Sequence, residues 1–430
     1  MNESGNTNVA VIGAGLTGLT IAFYLKRAGI PFTVFEKKDR PGGVIQTHQE
    51  KGFTFESGPN SGVLSRPEAA ELLEDLGDDC KLEVADEAAK ARWIWKGDRW
   101  HAMPSGLVSG ITTPLFSFPD KLRLLAEPFR SRGKNPNETL AELVLRRMGK
   151  SFLDYAIDPF ILGIYSGDPS KLVTRFAFSK LYDLEQDYGS FIGGAVKKAR
   201  EPKSEREKKA TKTIFSVEGG LSNLIDALVK NIGPENIRLN SEGLAVEKKE
   251  GHFSVNGSEE VFTHVISASG GHSLRDLFPF VDSQKLENIE QMEYSRVVQV
   301  ALGFDDWNGI PLPAFGGLVP SVEKRRILGV LFLSSFFKNK APENGALLSV
   351  FLGGVRKPGM VEMTDDKIRQ IVREELTEMF QLPSFDPVLL KIFRYRYAIP
   401  QYGLESEIKM KTIEIDRKST RLNSSHRYVS

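Results

Sequence analysis

Cysteine is nearly missing from this sequence: Cys80 is the only one among 430 residues. That excludes an internal disulfide and a thiolate metal cluster, and it removes any pull toward an oxidising compartment. Net charge is nearly missing too. Lys and Arg number 57 against 56 Asp and Glu, a formal charge of +1, so the chain as a whole gives no argument for nucleic acid or an acidic partner. No uninterrupted apolar run approaches the ~20 residues of a membrane-spanning helix. The opening "MNESGNTN" is polar and lacks the basic and apolar regions of a secretory signal. Repeats and low-complexity tracts are absent. The histidines, His48, His101, His252, His264, His272 and His426, fall without metal-ligand spacing. All are read as structural, and no metal site is expected. These absences point to a cytoplasmic globular protein, with contact at a membrane surface left open.

Glycine is present where it carries meaning. "VAVI" (9–12) reads as a strand, "GAGLTG" follows at once, and a helical run continues to Arg27 before a second strand, "PFTVFE" (31–36). Such a βαβ unit predicts a parallel sheet. Gly13, Gly15 and Gly18, with Ala14, Leu16 and Thr17 between them, form the G-x-G-x-x-G turn. The first glycine permits the tight turn, the second lets the main chain approach a pyrophosphate, and the third allows close helix packing. The helix N-terminus then offers free N–H groups to phosphate. Glu36, 23 residues after Gly13 and followed by Lys37, ends the second strand where a carboxylate can bond ribose hydroxyls. Behind it runs "DRPGGV". Gly42 and Gly43 before Val44 let the chain pass close to something bulky, and Arg40 can reach a phosphate with two donors.

The rest of the chain divides by pattern. Residues 101–212 read as mainly helical and include the charge-dense "AREPKSEREKKATK", expected to be a solvated face rather than a partner site. "TIFSVEGGLSNLIDALVKNIG" (213–233) reads as strand, two glycines and helix. Short alternating runs follow, expected as antiparallel strands, and "FTHVISAS" reads as a buried strand of the main sheet. Residues 286–400 alternate strand-like runs with one clear helix, 364–380, for which Thr364 is the expected N-cap.

At "RPGG" the sequence resembles the FAD-containing amine oxidase superfamily, whose first βαβ unit is followed by an R-x-G-G stretch contacting FAD. "GFTFESGPNS" (52–61) is similar to the family's next element, which implies that Gly58, Pro59, Asn60 and Ser61 lie along the flavin. Four further stretches resemble protoporphyrinogen/coproporphyrinogen oxidases: "KARWIWKGDRWHAMPSG" (90–106), "DPFILGIYSGDPSKL" (158–172), "FLSSFFKNKAPENG" (332–345) and "RYAIPQY" (396–402). The resemblance runs from Val9 to Tyr402. It implies a Rossmann-like α/β FAD-binding domain built from residues 1–84 and 213–285. It further implies an inserted, mainly helical domain (101–212) and a mixed-sheet substrate domain (85–100 and 286–402), leaving 403–430 as an atypical tail.

The implied reaction is oxidation of a porphyrinogen, protoporphyrinogen IX or coproporphyrinogen III, to the porphyrin in haem synthesis. Hydride passes to FAD, and O2 reoxidises the flavin with release of H2O2. The substrate calls for a broad apolar cavity with a cation for its acid tails. By the resemblance Arg92 pairs with a substrate carboxylate, Leu318 and Phe337 sandwich the ring, and Leu302 is a further wall residue. A glycine carbonyl, of Gly163 or Gly167, accepts a proton, and Gly243 lies on the adenine side. The segment 102–129 either touches a membrane peripherally or packs on its own neighbours. A homodimer stays open, and no nucleic-acid partner is expected.

The sequence departs from the family in places. Tyr402 leads into "GLESEIKM" where the family has Gly-His. "DRKSTRLNSSHRYVS" (416–430) lacks the apolar periodicity and glycines of the family's closing segment and reads as a foreign tail on a truncated enzyme. The expected cost is weak FAD binding or an exposed sheet edge. Two other readings stay open: another member of the superfamily (an amine oxidase or carotenoid desaturase), or an inactive protein that binds porphyrin or nucleotide.

Overall fold

A computed structural model describes residues 7–86 and 90–411; His426 and the 416–430 stretch lie outside them. The first strand, β1 (Val9–Ile12), is followed by helix α1 (Leu16–Arg27) and strand β2 (Phe32–Phe35). Both strands are apolar or β-branched and buried at every position, as expected for a parallel sheet covered on two faces. Residues 237–238, β2, β1 and 264–267 line up in that order, all parallel. The chain leaves β1 toward β2 on one side and meets His264–Ser267 on the other. That reversal opens a crevice at the C-terminal end of β1, where ligands of such sheets bind.

The strand His264–Ser267 was expected to be buried. It is instead the last strand of this sheet among the described residues, with His264 exposed and the other three half-buried. The strand Ile214–Val217 does not enter the parallel sheet. It pairs antiparallel with residues 62–63 and 82–84, while the helix after it, Ser222–Ile232, packs its apolar face beside α1.

Next comes a hairpin of β3 (Gln46–Glu50) and β4 (Phe53–Ser57). It leads to the second layer, a seven-stranded sheet. In spatial order its strands are Leu389–Tyr395, Val297–Phe304, Ala346–Gly353, Ile327–Phe332, Gly316–Leu318, Arg92–Lys96 and Arg99–Ala102. One face is covered by the helix Asp365–Met379, which Thr364 caps by accepting from Lys367 N–H at 3.4 Å. Its Ile368, Ile371, Val372, Leu376 and Met379 recur at helical spacing and pack on Val298, Val300, Leu302 and Phe304. Because side chains alternate along a strand, Gln299 and Ala301 turn to the opposite face, where Ala301 joins Phe53 and Phe55 of β4.

Residues 107–208 are helical segments. Their interior holds an ion cluster: Arg147 bonds Glu127 and Glu185, all three essentially without solvent exposure. Glu127 also accepts from Ser190 Oγ and the N–H groups of Phe191 and Ile192, capping the helix Phe191–Ala199. Two π-helical turns, Leu153–Ile157 and Ile161–Tyr165, flank Pro159, which has no N–H to give to an α-helical ladder. In the charge-dense run, Arg206 and Lys209 pair with Glu68, Glu71 and Glu74 of α2 (Pro67–Leu76). The described part of the expected tail is no loose end. Tyr402 O accepts from Val173 N–H at 3.0 Å, and Glu407 pairs with Arg175 at 2.8 Å, fastening residues 402–411 to the helical part.

Candidate functional site

At the crevice Gly13 has φ +103°, and a Cβ there would lie 3.2 Å from Ala268 O. A Cβ on Gly18 would lie 1.9 Å from Gly13 O, so only glycine lets α1 close on the turn. Ala14 is buried, Gly15 is half-buried, and Leu16 and Thr17 are exposed at the helix start. Gly15 provides no side-chain cap there. Glu36, 6% exposed, accepts from Ala14 N–H (2.8 Å) and Lys38 N–H (3.0 Å). It locks the two loops together at the crevice with acceptor capacity remaining on each oxygen, while Lys37 beside it points to solvent. The turn carrying Gly243 is tied to the same strand end, since Ser241 and Asn240 N–H groups donate to Glu36 O and Lys38 O. Gly243 itself has φ +58° and open space where a side chain would be.

Arg40 differs from expectation. Its guanidinium donates to the carbonyls of Pro41, Ile45 and Gly43 at 3.0–3.1 Å, so it shapes the loop that was expected to be a phosphate clamp. The loop thereby brings Gly43 against Gly15, where a Cβ on Gly43 would lie 3.2 Å from Gly15 Cα. Gly42 N–H donates to Ala14 O at 2.7 Å, and Val44 stands 58% exposed at the rim. Gly58 passes under Val44, with a Cβ there 2.4 Å from Val44 O. Pro59 is exposed, Ser61 half-buried and Asn60 buried.

Two buried polar groups that sequence reasoning missed hold this stretch. Gln299 accepts from Gly58 N–H (3.0 Å) and donates to Glu56 O (3.0 Å) and Ser349 Oγ (3.1 Å), pinning residues 56–58 to the seven-stranded sheet. Its signal was a lone amide inside the apolar run "VVQVALGF". Glu56 accepts from Leu221 N–H (2.9 Å) and Thr47 Oγ, tying β4 to the region where the helix Ser222–Ile232 begins. Burial pushes its carboxyl above the ordinary carboxylate range, against the pull of those bonds and of Lys340.

Of the residues expected to meet a substrate, Arg92 opens its strand with its guanidinium 5.4 Å over the Phe315 ring. No described residue pairs with it in a salt bridge. Across the parallel pairing, Arg92 lies opposite Gly316 in the strand that ends at Leu318. Leu318 is half-buried and meets Gly163, where a Cβ would fall 2.2 Å from Leu318 Cδ2. Gly163 is thus brought to Leu318. Gly167 is not: it is buried behind, with Gln401 Oε1 2.6 Å from where a Cβ would stand. Two expectations are corrected. Leu302 has no exposure and faces the helix Asp365–Met379, on the face of its strand opposite to that of Gln299. Phe337 is 4% exposed and packs with Phe53, Phe55 and Phe336, so it belongs to the core between the hairpin and the sheet.

The crevice suits a dinucleotide on its own chemistry. Uncapped N–H groups, glycine main chain and a buried carboxylate surround it, and beside Gly15 and Gly43 an added Cβ would meet main chain only. The comparisons agree. The model of the family described as flavin containing amine oxidoreductase matches residues 16–408, and the chain belongs to that family. A crystal structure of an Exiguobacterium protein, provisionally assigned as a protoporphyrinogen oxidase, superposes with a TM-score of 0.80 at 23% identity, covering 97% of this chain and 92% of that one. Protoporphyrinogen oxidase 1 of Arabidopsis thaliana is 32% identical, over 92% of this chain and 79% of the relative. Coproporphyrinogen III oxidase of Bacillus subtilis is 26% identical, over 96% and 91%. The chain is an FAD-dependent oxidase, and the relatives it resembles along its length are porphyrinogen oxidases.

Proposed function

We propose that this oxidase converts a porphyrinogen, protoporphyrinogen IX or coproporphyrinogen III, to the porphyrin. The observation that carries this is Arg92, an arginine without a salt-bridge partner among the described residues, stacked on Phe315 close to the Leu318–Gly163 wall. A cation at the margin of an apolar surface suits a macrocycle bearing propionates. When bound, FAD supplies the acceptor for hydride from a ring carbon, and O2 returns it to the oxidised form with release of H2O2. The chain's own residues bind and orient. Glu36 would receive ribose hydroxyls, the N–H groups at the start of α1 would hold the pyrophosphate, and Gly58 and Asn60, fixed through Gln299, would lie along the ring system. Arg92 would anchor a propionate, Leu318 would support one face of the macrocycle, and Gly163 would offer main-chain carbonyl acceptance of a pyrrole proton.

No described helix is long and apolar enough to cross a membrane. Val108, Ile111, Phe118, Leu122, Leu125 and Phe129 are nonetheless 51–90% exposed, with Lys121, Arg123 and Arg130 among them. That mixture supports a peripheral membrane contact of the helical part.

The test is porphyrin fluorescence and H2O2 formation by the FAD-loaded chain with each porphyrinogen. About three H2O2 per porphyrin is the expected ratio, and no oxidation of either substrate removes the reading. In Arg92→Ala, KM should rise roughly 10- to 100-fold, the worth of one charged hydrogen bond, with kcat changed far less. An unchanged KM would take Arg92 out of the site.

A further inference from the structure

Arg356 lies just beyond the strand Ala346–Gly353. Its Nε and Nη2 donate to the two oxygens of Asp168 at 2.9 and 2.8 Å. Its Nη1 donates to Asp158 Oδ1 at 2.7 Å and contacts Ser321 Oγ. Asp158 also receives Ser321 N–H at 2.7 Å and Ser321 Oγ at 2.9 Å, and Ser321 follows Leu318 by three residues. Three segments therefore meet at one guanidinium: the loop after residue 353, the end of the strand that carries Leu318, and both ends of the 158–168 segment.

The main chain repeats the attachment. Val355 N–H donates to Ser166 O at 2.9 Å, and Gln401 Nε2 donates to Tyr165 O at 3.2 Å. Ser166 itself is left-handed, φ +49°, a conformation that a non-glycine residue holds only where its surroundings impose it. Between the two carboxylates lies the π-helical turn Ile161–Tyr165, a rare geometry that recurs at functional sites, and Gly163 sits at its middle. Asp158 and Asp168 are 7% and 13% exposed, while Arg356 is 31% exposed. The pairing is thus sheltered on the acid side and geometrically complete, a two-donor fork to Asp168 plus a single bond to Asp158.

We propose that Arg356 is a positioning residue, clamping both ends of the 158–168 segment so that Gly163 is held against Leu318 at the distance oxidation requires. The inference rests on the reading that porphyrinogen reacts beside these two residues. Arg356 touches neither substrate nor cofactor; it acts through Asp158, Asp168 and Ser321. Lysine at this position cannot reproduce the clamp, because one ammonium does not span two carboxylates in a planar fork.

The experiment compares the FAD-loaded wild type with Arg356→Ala, Arg356→Lys and Asp168→Asn. Flavin bleaching by saturating coproporphyrinogen III without oxygen reports the reductive step, and return of the band on mixing with O2 reports reoxidation. Arg356→Ala should slow the reductive step at least tenfold while reoxidation and FAD content stay within twofold. Ethylguanidinium added to Arg356→Ala should restore part of the rate, and Arg356→Lys should stay at least threefold below wild type. Hydrogen exchange of the peptide 158–168 in the FAD-free protein should rise at least fivefold in Arg356→Ala. If that variant does not fold, Asp168→Asn, which keeps the Asp158 bond, should slow the reductive step three- to tenfold in the same sense. Reductive rates within twofold of wild type, or losses that track FAD loss, would overturn the clamp. A wild type that no porphyrinogen reduces would bring down the substrate reading and the clamp with it, whereas a competent wild type with equally fast variants removes the clamp alone.

Discussion

Glu56 is 3% exposed at the end of β4, and burial holds its carboxyl above its ordinary value of 4.5 despite the Leu221 and Thr47 bonds. A carboxyl with a raised folded pKa binds its proton more tightly in the folded chain than in the unfolded one. Its stabilising contribution is therefore complete below 4.5 and is lost as pH rises through the folded pKa. Glu56→Gln removes that dependence. Across the window above 4.5, the stability of the variant relative to wild type should climb with pH, by up to about 1.4 kcal/mol for each pH unit spanned, measured by urea unfolding at a series of pH values. A flat difference would mean that Glu56 keeps its ordinary pKa. Gly43 offers a second test at this scale. With φ +60° and Gly15 Cα only 3.2 Å from its absent Cβ, Gly43→Ala should cost at least tenfold in FAD affinity by displacing the loop that Arg40 organises, read as Kd by flavin fluorescence quenching.

At the scale of elements, the helix Asp365–Met379 is the plainest case of sequence dictating structure. Its cap, its acidic first turn and its apolar stripe all lie within a few turns of chain. Thr364→Ala should lower unfolding stability by about 1 kcal/mol, the usual worth of an N-cap, with turnover unaffected; equal urea midpoints would show the cap to be idle. The β1–α1–β2 unit was legible for the same reason, since Gly13, Gly18 and Glu36 act within one short stretch. What stayed illegible depends on direction or on distance. In "VVQVALGF" both alternate sets are buried, and only the amide of Gln299 marks the face on which Ala301, rather than Leu302, lies. Arg356 meets its two acids 188 and 198 residues away in the chain, and local pattern does not encode such a meeting. That Arg40 also holds the carbonyls of Pro41, Gly43 and Ile45 was not legible, because its position in the sequence does not show which acceptors its loop turns toward it.

At the scale of the whole molecule, the helical part encloses a buried ion cluster as well as an apolar core. Arg147 has no exposure and holds two acids that are equally buried. Arg147→Met should therefore destabilise the protein by roughly 3–5 kcal/mol, the cost of stranding a buried charge, visible as a lowered urea midpoint. A loss below about 1 kcal/mol would show that water reaches the cluster. In sequence this part lies between strands that pair across the chain, Arg92–Lys96 with Gly316–Leu318.

That pairing across the chain bears on how the protein is made. Asn8 bonds Thr263, 255 residues on, and the seven-stranded sheet joins Arg92–Lys96 to strands as late as Leu389–Tyr395. On a ribosome adding 5–20 residues per second, β1 waits on the order of 13–50 s for its second neighbour. The seven-stranded sheet waits longer. The helical segments, whose contacts are mainly among themselves, are the first large unit able to compact as the nascent chain emerges. Their exposed apolar side chains are thus on show while the nucleotide crevice is still half a sheet, so slower translation or added chaperone is expected to raise the yield of folded protein.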